Sequence, residues 1–520
     1  VPRKLRIGAG GPTTLPLLTA SDYAYLGAFK LPSGYFGGGG FAYGGRALTF
    51  YQDPTYGATL YIGAGIDGEQ IAQIDVPADV DIKADASGAT LATCTVLQNF
   101  EDIADGTLVY PTFDADTNDK FVYGLIPYNG RLIVGAATYY ASGAPTNGAI
   151  GAFSSMNLSS GSFGGWKYLS GAGVISNRRS QGGMACLVPS AWQSLIGGPA
   201  LMGNATGPLS VVANSSFGFS LNVFDPDDVG ASASIPGKTL AFFDGTGTRF
   251  MSGVSNGDTT QSDIWNLSTW VGGYFFAPGT RTLGVVTATG AGPYDYGVPT
   301  GSLTITGIST AGGYVTVTFT PDYAYSPGNG TRLYFQAVGG MTQINHGATP
   351  SAPTVQFYYA ANVTGSTFRI ATNSAGTLLS TAGLSAWTSG GKVHIYDGAD
   401  LGGIGEIVCH NDYNLGGSRG PQGAIPEFGY RYQVLMYDAT HLAQVNAGTR
   451  DPWDLTPYEV YILPDTRVNN PTATIDGMPR CGRAIYGVAY DPTTARLYLC
   501  EEFGGGSEPR VEVFQLTNRS

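Results

Sequence analysis

The stretch Tyr486-Gly-Val-Ala-Tyr-Asp-Pro-Thr493, followed by Arg496-Leu-Tyr-Leu499 and Arg510-Val-Glu-Val-Phe-Gln-Leu516, has a counterpart near the other end of the chain. There Ala47-Leu-Thr-Phe-Tyr-Gln-Asp-Pro-Thr55 leads to Thr59-Leu-Tyr-Ile62 and Gln70-Ile-Ala-Gln-Ile-Asp-Val76. Each reads as a strand, an Asp-Pro turn, a second strand, a Gly-rich loop and a third strand. Proline presets the turn φ, and the Asp carboxylate bonds the backbone that follows. A unit this small cannot bury an apolar face alone, so repetition implies stacked copies.

Weaker copies lie between. Tyr123-Gly-Leu-Ile126 passes through Asn129-Gly130, a strong hairpin signal, into Arg131-Leu-Ile-Val-Gly135 and Ala149-Ile-Gly-Ala-Phe153. Met184-Ala-Cys-Leu-Val-Pro189 leads to Ala200-Leu-Met-Gly203 and Ser220-Leu-Asn-Val-Phe224. Gly273-Tyr-Phe-Phe-Ala-Pro-Gly279 leads to Thr282-Leu-Gly-Val-Val-Thr287, but its third strand is delayed until Tyr432-Gln-Val-Leu-Met-Tyr437. The small, apolar first strands suit the crowded axis of a propeller. Tyr23-Ala-Tyr-Leu-Gly-Ala-Phe-Lys-Leu31 has no local partner and is expected to close the ring as the outer strand of the last blade. The expected fold is all-β, a β-propeller of about five blades. An array of β-sandwiches is the alternative, because the unit spacing is irregular. Helical signal is short, as at Thr440–Val445.

The delayed strand leaves room for a separate module, which makes it an insertion in the penultimate blade. Its strands include Ser302-Leu-Thr-Ile-Thr-Gly-Ile308, Tyr314-Val-Thr-Val-Thr-Phe-Thr320, Arg332-Leu-Tyr-Phe335 and Thr367-Phe-Arg-Ile370. Phe335, Tyr358, Phe368 and Trp387 are expected to fill a small barrel. The expected divisions are an N-terminal arm (1–22), the first part of the propeller (23–300), the inserted β-barrel (301–392) and the closing part (393–520).

Composition agrees with a turn-rich β-protein. Glycine numbers 78 of 520 residues without a collagen period, and charged residues are only 12 % while aromatics also reach 12 %. That is not a disordered composition. The net charge of −12 disfavours phosphate backbones, so nucleic acid is not an expected partner. The basic Pro2-Arg-Lys-Leu-Arg6 is read as a solvated tail, or else as an arm docking on an acidic partner. No apolar run is long enough to span a bilayer, so membrane insertion is not expected. No secretory pattern opens the chain, although a start at Val1 is compatible with a removed Met or leader. Five cysteines carry no zinc spacing and read mostly as buried small hydrophobes; Cys481 and Cys500 could meet across adjacent strands, which spacing alone does not show. The sequons at Asn204 and Asn362 are of the kind that chance supplies in a chain rich in Ser and Thr.

The pattern Gly339-Gly-Met-Thr-Gln-Ile-Asn345, Ala361-Asn-Val-Thr-Gly-Ser-Thr-Phe368 and Trp387-Thr-Ser-Gly-Gly391 resembles small β-barrel modules of tailed-bacteriophage structural proteins. Those modules are similar to the first catalytic-cysteine half-domain of ubiquitin-activating enzymes. No cysteine lies between Gly301 and Lys392, so the resemblance does not extend to thioester chemistry. Tyr25-Leu-Gly-Ala-Phe-Lys-Leu-Pro32 and Ala489-Tyr-Asp-Pro-Thr-Thr-Ala-Arg-Leu-Tyr498 resemble propeller-like proteins of bacteria and their phages.

Motifs that carry chemistry are few. Gly253-Val-Ser-Asn-Gly257 fits a nucleophile elbow around Ser255, but the strand-turn-helix context is missing. Asp114-Ala-Asp-Thr-Asn-Asp119 starts like a calcium loop, yet has Asp119 where Gly belongs and Leu125 where Glu belongs. His346, His394, His410 and His441 share no ligand spacing, and His410-Asn-Asp412 beside Tyr413 reads as a structural loop. Glu501-Glu502 and Asp227-Asp228 are adjacent carboxylates, whereas a glycosidase pair must face across a substrate. Arg178-Arg179 reads as a solvated turn, and the doublets Tyr139-Tyr140 and Tyr358-Tyr359 as packing or as sugar platforms. No catalytic, binding or metal residue is assigned, no cofactor is expected, and the chain is not expected to be an enzyme. The resemblance implies a structural protein of a phage virion, present in several copies on tail, collar or head beside other virion proteins, and involved in host attachment through a surface glycan or receptor. A purely architectural virion part and a secreted bacterial propeller glycosidase, lyase or carbohydrate-binding protein are the alternatives.

Overall fold

A computed structural model describes residues 11–517 apart from 43, 66–68, 85–89, 109–119, 139–147, 177–179, 205–215, 217, 231, 245–263, 266–268, 291–300, 322–326, 346–357, 397–429, 464–473, 476–477, 480–484 and 502–507. Strand β1 (Tyr23–Lys30) comes first, then a small hairpin of β2 (Tyr35–Phe36) and β3 (Gly39–Gly40). Blade 1 is the antiparallel meander β4 (Leu48–Asp53), β5 (Gly57–Gly63), β6 (Gln70–Asp75) and β7 (Val96–Asp102). Blade 2 comprises β8 (Lys120–Tyr128), β9 (Arg131–Thr138) and β10 (Ile150–Phe153). Blade 3 has five strands: β11 (Tyr168–Ser170), β12 (Ala185–Leu187), β13 (Ala200–Met202), β14 (Leu221–Phe224) and β15 (Ser234–Ala241). In it β11 joins the outer edge parallel to β15, and helix α1 (Ser190–Ile196) lies between β12 and β13.

Blade 4 starts with β16 (Trp270–Phe276) and β17 (Thr282–Gly290). The chain then builds a closed barrel from β18 (Gly301–Ser309), β19 (Thr316–Pro321), β20 (Arg332–Gln336), β21 (Tyr358–Thr364), β22 (Thr367–Ala371) and β23 (Lys392–Tyr396). It returns to the blade as β24 (Tyr430–Asp438), which pairs β17 from Thr282↔Asp438 to Gly290↔Tyr430. Helix α2 (Ala439–Asn446), β25 (Glu459–Ile462) and a small hairpin of β26 (Thr474–Ile475) and β27 (Met478–Pro479) follow. Blade 5 is β28 (Ile485–Asp491), β29 (Arg496–Glu501), β30 (Arg510–Leu516) and, outermost, β1. The delayed third strand and the closing N-terminal strand are therefore both present.

The first strands of the blades form a ring, with β4 against β8, β8 against β12, β12 against β16, β16 against β28 and β28 against β4. This is a five-bladed propeller arrangement, not a row of sandwiches. Each blade is covered on both faces by its neighbours, so central strands read as continuous apolar runs such as Leu132-Ile133-Val134. The core is accordingly divided into wedges. Tyr61 and Ile71 of blade 1 meet Leu125 and Val134 of blade 2 in one wedge. Ile133 and Ile150 of blade 2 meet Met202 and Phe224 of blade 3 in the next. Phe29, Val511 and Val513 of blade 5 meet Leu60 and Ile74 of blade 1 in the wedge that closes the ring.

Inner strands approach so closely that side chains are excluded at some positions. Gly487 on β28 has φ +80°, and a Cβ there would stand 2.3 Å from the Gly45 carbonyl oxygen. Gly124 on β8 would place its Cβ 2.0 Å from the Gly183 carbonyl oxygen. Both glycines sit where the strand register slips. Gly487→Val adds left-handed strain to an inter-blade clash, and a loss of about 3 kcal/mol is expected. Urea unfolding of the variant checks this, and an unchanged midpoint would contradict the tight axis.

The stretch Pro2-Arg-Lys-Leu-Arg6, read as a solvated tail or as an arm docking on an acidic partner, lies outside the described residues, and residues 11–22 follow it. Residues 11–22 lie on the chain's own blade 4. The Leu18 N–H donates to Thr282 Oγ1 at 2.9 Å, and Tyr458 Oη donates to the Leu18 carbonyl at 2.8 Å. The Ala20 N–H donates to Glu459 Oε1, and the Arg281 N–H to the Pro16 carbonyl. Leu18 is fully buried.

In the barrel, Phe335, Tyr358 and Phe368 are buried as expected. Trp387 packs against this core but is only half-buried, with its indole N–H donating to the Gly390 carbonyl at 3.0 Å. Met341 and Ile344, in a short 3₁₀ turn, fill interior space instead. Among the described residues no helix is long and apolar enough to cross a membrane.

Candidate functional site

The C-terminal ends of the five inner strands converge on a cavity of about 440 Å³. Its walls are Thr49–Gln52 of β4, Leu125–Gly130 of β8 and its turn, and Ala185–Pro189 of β12 and beyond. Tyr274–Phe276 with Pro278, Val488–Tyr490 with Pro492 and Thr493, and Met156 complete it. Every blade thus contributes, and each through the strand on the free inner edge of its sheet. The volume falls within the range of roughly 300–1,000 Å³ typical of small-ligand sites.

The surface chemistry is uniform. Rings of Phe50, Tyr51, Tyr128 and Tyr490 are half-buried at the wall, and Tyr490 stacks on Phe275 with centroids 6.0 Å apart. Gln52, Asn129, Thr49 and Thr493 add amides and hydroxyls. No Asp, Glu, Lys, Arg or His is among the described lining residues. Cys186 lines the wall, and burial pushes its thiol up, which removes nucleophilic thiolate at neutral pH.

Among the described residues, carboxylates stand around the rim, in turns that engage them. Asp53 accepts from the backbone N–H groups of Thr55 (2.7 Å) and Tyr56 (3.1 Å) and from Gln73 Nε2 (3.0 Å). Burial opposes its ionisation, yet these bonds hold the carboxyl below its usual range. Asp491 accepts from the Thr493 N–H at 2.7 Å, the same Asp-Pro turn in blade 5. Asp227, from the sequence pair Asp227-Asp228, stands 3.4 Å from Tyr128 Oη, 3.3 Å from Asn129 Nδ2 and 3.6 Å from Arg131 Nη2. It therefore braces blade 3 against the blade 2 hairpin.

At the other end of the ring the Arg46 guanidinium lies 3.9 Å from the ring centroid of Phe121 and 5.5 Å from that of Tyr486.

The other sequence candidates are scattered. Glu501 is fully buried in blade 5, where Arg510 Nη2 donates to its Oε2 at 2.6 Å, so it belongs to an internal ion pair and not to a cleft. Tyr358 is barrel core and Tyr359 is half-buried beside it. His441, on α2, has its pKa lowered, first by burial and then by Arg450. His394 lies on β23, remote in the chain from the cavity strands. The Asn204 side chain is buried and accepts from the Ser220 N–H, which removes that sequon from solvent. Cys500 is buried. Ser255, Asp114–Asp119, Tyr139-Tyr140, Arg178-Arg179, His346, His410–Tyr413, Cys481 and Glu502 lie outside the described residues. Among the described residues no three His, Cys, Asp or Glu side chains are placed to hold a metal ion.

The cavity itself went unnoticed in the sequence. Its residues come from five strands far apart in the chain, and aromatic residues in apolar strands read as core. No protein-family model matches the chain, and neither does any curated protein sequence.

Proposed function

We propose that this chain is a structural component of a tailed-phage virion, exposed on tail, collar or head, and that it takes part in attachment to the host cell surface. The observation that carries the reading is the closed barrel set between β17 and β24 of one blade. A barrel that interrupts a blade without breaking its pairing adds a projecting unit to a rigid scaffold. This fits the spacer or display role that its resemblance to phage modules implies. The aromatic cavity at the ring axis gives the scaffold a concave surface suited to recognition. Many copies on one particle would turn weak single contacts into firm adhesion.

The test has two parts. Antibodies against the purified protein are expected to label intact phage particles from the same source. Beads coated densely with the protein are expected to adhere to host cells. Absence of label on particles would sink the virion assignment. Label without adhesion at any coating density would leave a purely architectural part.

A further inference from the structure

The geometry points to an uncharged carbohydrate chain as the ligand of the axial cavity, bound by ring stacking on Tyr490 and Tyr128 and by hydrogen bonds to Gln52 and Asn129. The inference deepens the attachment reading, on which its biological setting rests. Three observations carry it.

The first is charge. The described lining residues include no cation to meet a phosphate, sulfate or carboxylate, and the rim turns carry Asp53, Asp491 and Asp227, the last held by Arg131. The chain as a whole is acidic, with a net charge of −12. An anionic polymer would lose its hydration here and gain repulsion.

The second is the mixture of surfaces. Aromatic faces offer apolar contact, while Gln52 and Asn129 each present both an amide donor and a carbonyl acceptor. A hydrocarbon ligand would set these amides against apolar groups. A pyranose ring pairs a C–H face, suited to an aromatic ring, with a rim of hydroxyls that both donate and accept.

The third is the shape of the edges. An extended peptide would need one open strand edge along which to add. Here each inner strand has the inner strands of the two neighbouring blades close beside it, which leaves little room for a further strand along its edge. The cavity lies at the strand ends, where the aromatic residues stand.

The experiment exposes the full chain to uncharged oligosaccharides (gluco-, manno-, galacto- and N-acetylglucosamine oligomers). Anionic oligomers (polygalacturonate and polysialate fragments) and a random peptide pool serve as comparison ligands. Binding is read by saturation-transfer NMR and calorimetry. At least one uncharged series is expected to bind, and Tyr490→Ala and Tyr128→Ala are each expected to weaken it at least about tenfold. Tyr490→Trp, which keeps a stacking face, is expected to retain binding, and thermal melts of each variant report whether the fold is intact. No binding by any uncharged series, preference for the anionic series or the peptides, or binding indifferent to both tyrosines in folded variants would each overturn the inference. The two readings fail separately. Beads of folded Tyr490→Ala protein that adhere to host cells as well as wild type would remove this site and leave attachment standing. Oligosaccharide binding by a protein whose beads never adhere would do the reverse.

Discussion

Deleting residues 1–30 is expected to abolish cooperative folding, even though no inner strand of the ring is touched. β1 supplies the outermost strand of blade 5, paired with β30 from Tyr23↔Leu516 to Lys30↔Arg510. It places Phe29, fully buried, in the wedge between blades 5 and 1, and Ala28 is fully buried beside it in the strand. The arm before it adds Leu18 against blade 4, and the Thr517 N–H bonds back to the Asp22 carbonyl. Fully burying a Leu or Phe side chain is worth about 1.5–3 kcal/mol, so Leu18 and Phe29 together supply about 3–6 kcal/mol, comparable with the lower end of the roughly 5–15 kcal/mol that holds a whole domain folded. The deletion also bares β30 as a long apolar edge, which invites pairing between molecules. The truncated chain should aggregate on expression or melt without a sharp transition, and a synthetic 11–31 peptide added during refolding should restore part of the soluble fraction. A truncated protein melting cooperatively within about 5 °C of wild type would show that the closing strand is dispensable.

Arg510→Met is expected to cost about 3–5 kcal/mol, although it exchanges one long side chain for another. Arg510 is 1 % exposed and lies between two carboxylates that are themselves fully buried. Its Nη2 donates to Glu501 Oε2 at 2.6 Å, its Nε stands 2.6 Å from Glu512 Oε1, and Tyr25 Oη donates to Glu512 Oε2 at 2.5 Å. Burial by itself would lower the guanidinium pKa, but Glu501 and Glu512 outweigh it and hold the group above its ordinary value. Removing the cation strands two anions in the closing blade. Replacing all three members by apolar residues (Glu501→Leu, Arg510→Met, Glu512→Leu) should recover most of the loss, because no unpaired charge is then left inside. Urea denaturation of both variants reads the effect. An Arg510→Met midpoint equal to wild type, or a triple variant no better than the single one, would show that the cluster is not a tightly coupled ion network.

Much of the fold was legible because its signals are local. The Asp-Pro turns at Asp53 and Asp491 bond the backbone of their own next residues, so sequence alone places them. The insertion was legible as a missing third strand after Thr282–Thr287, recovered at Tyr432–Tyr437. β1 was legible as a strand without a neighbour. The parallel strand β11, the lacing of residues 11–22 across blade 4 and the burial of Glu501 were not, since each depends on a partner distant in the chain.

The sequence by itself determined the repeating strand-turn-strand unit, the inserted module and the strand left over for closure. Periodicity, turn chemistry and glycine placement act between residues that are near in the chain. Only the tertiary structure decided the ring of five inner strands, the glycines that let them touch, the buried Arg510 cluster and the charge-free aromatic cavity on the axis. Those depend on which faces and ends meet across blades, and that is settled by packing over long sequence distances, where strand patterns carry no address.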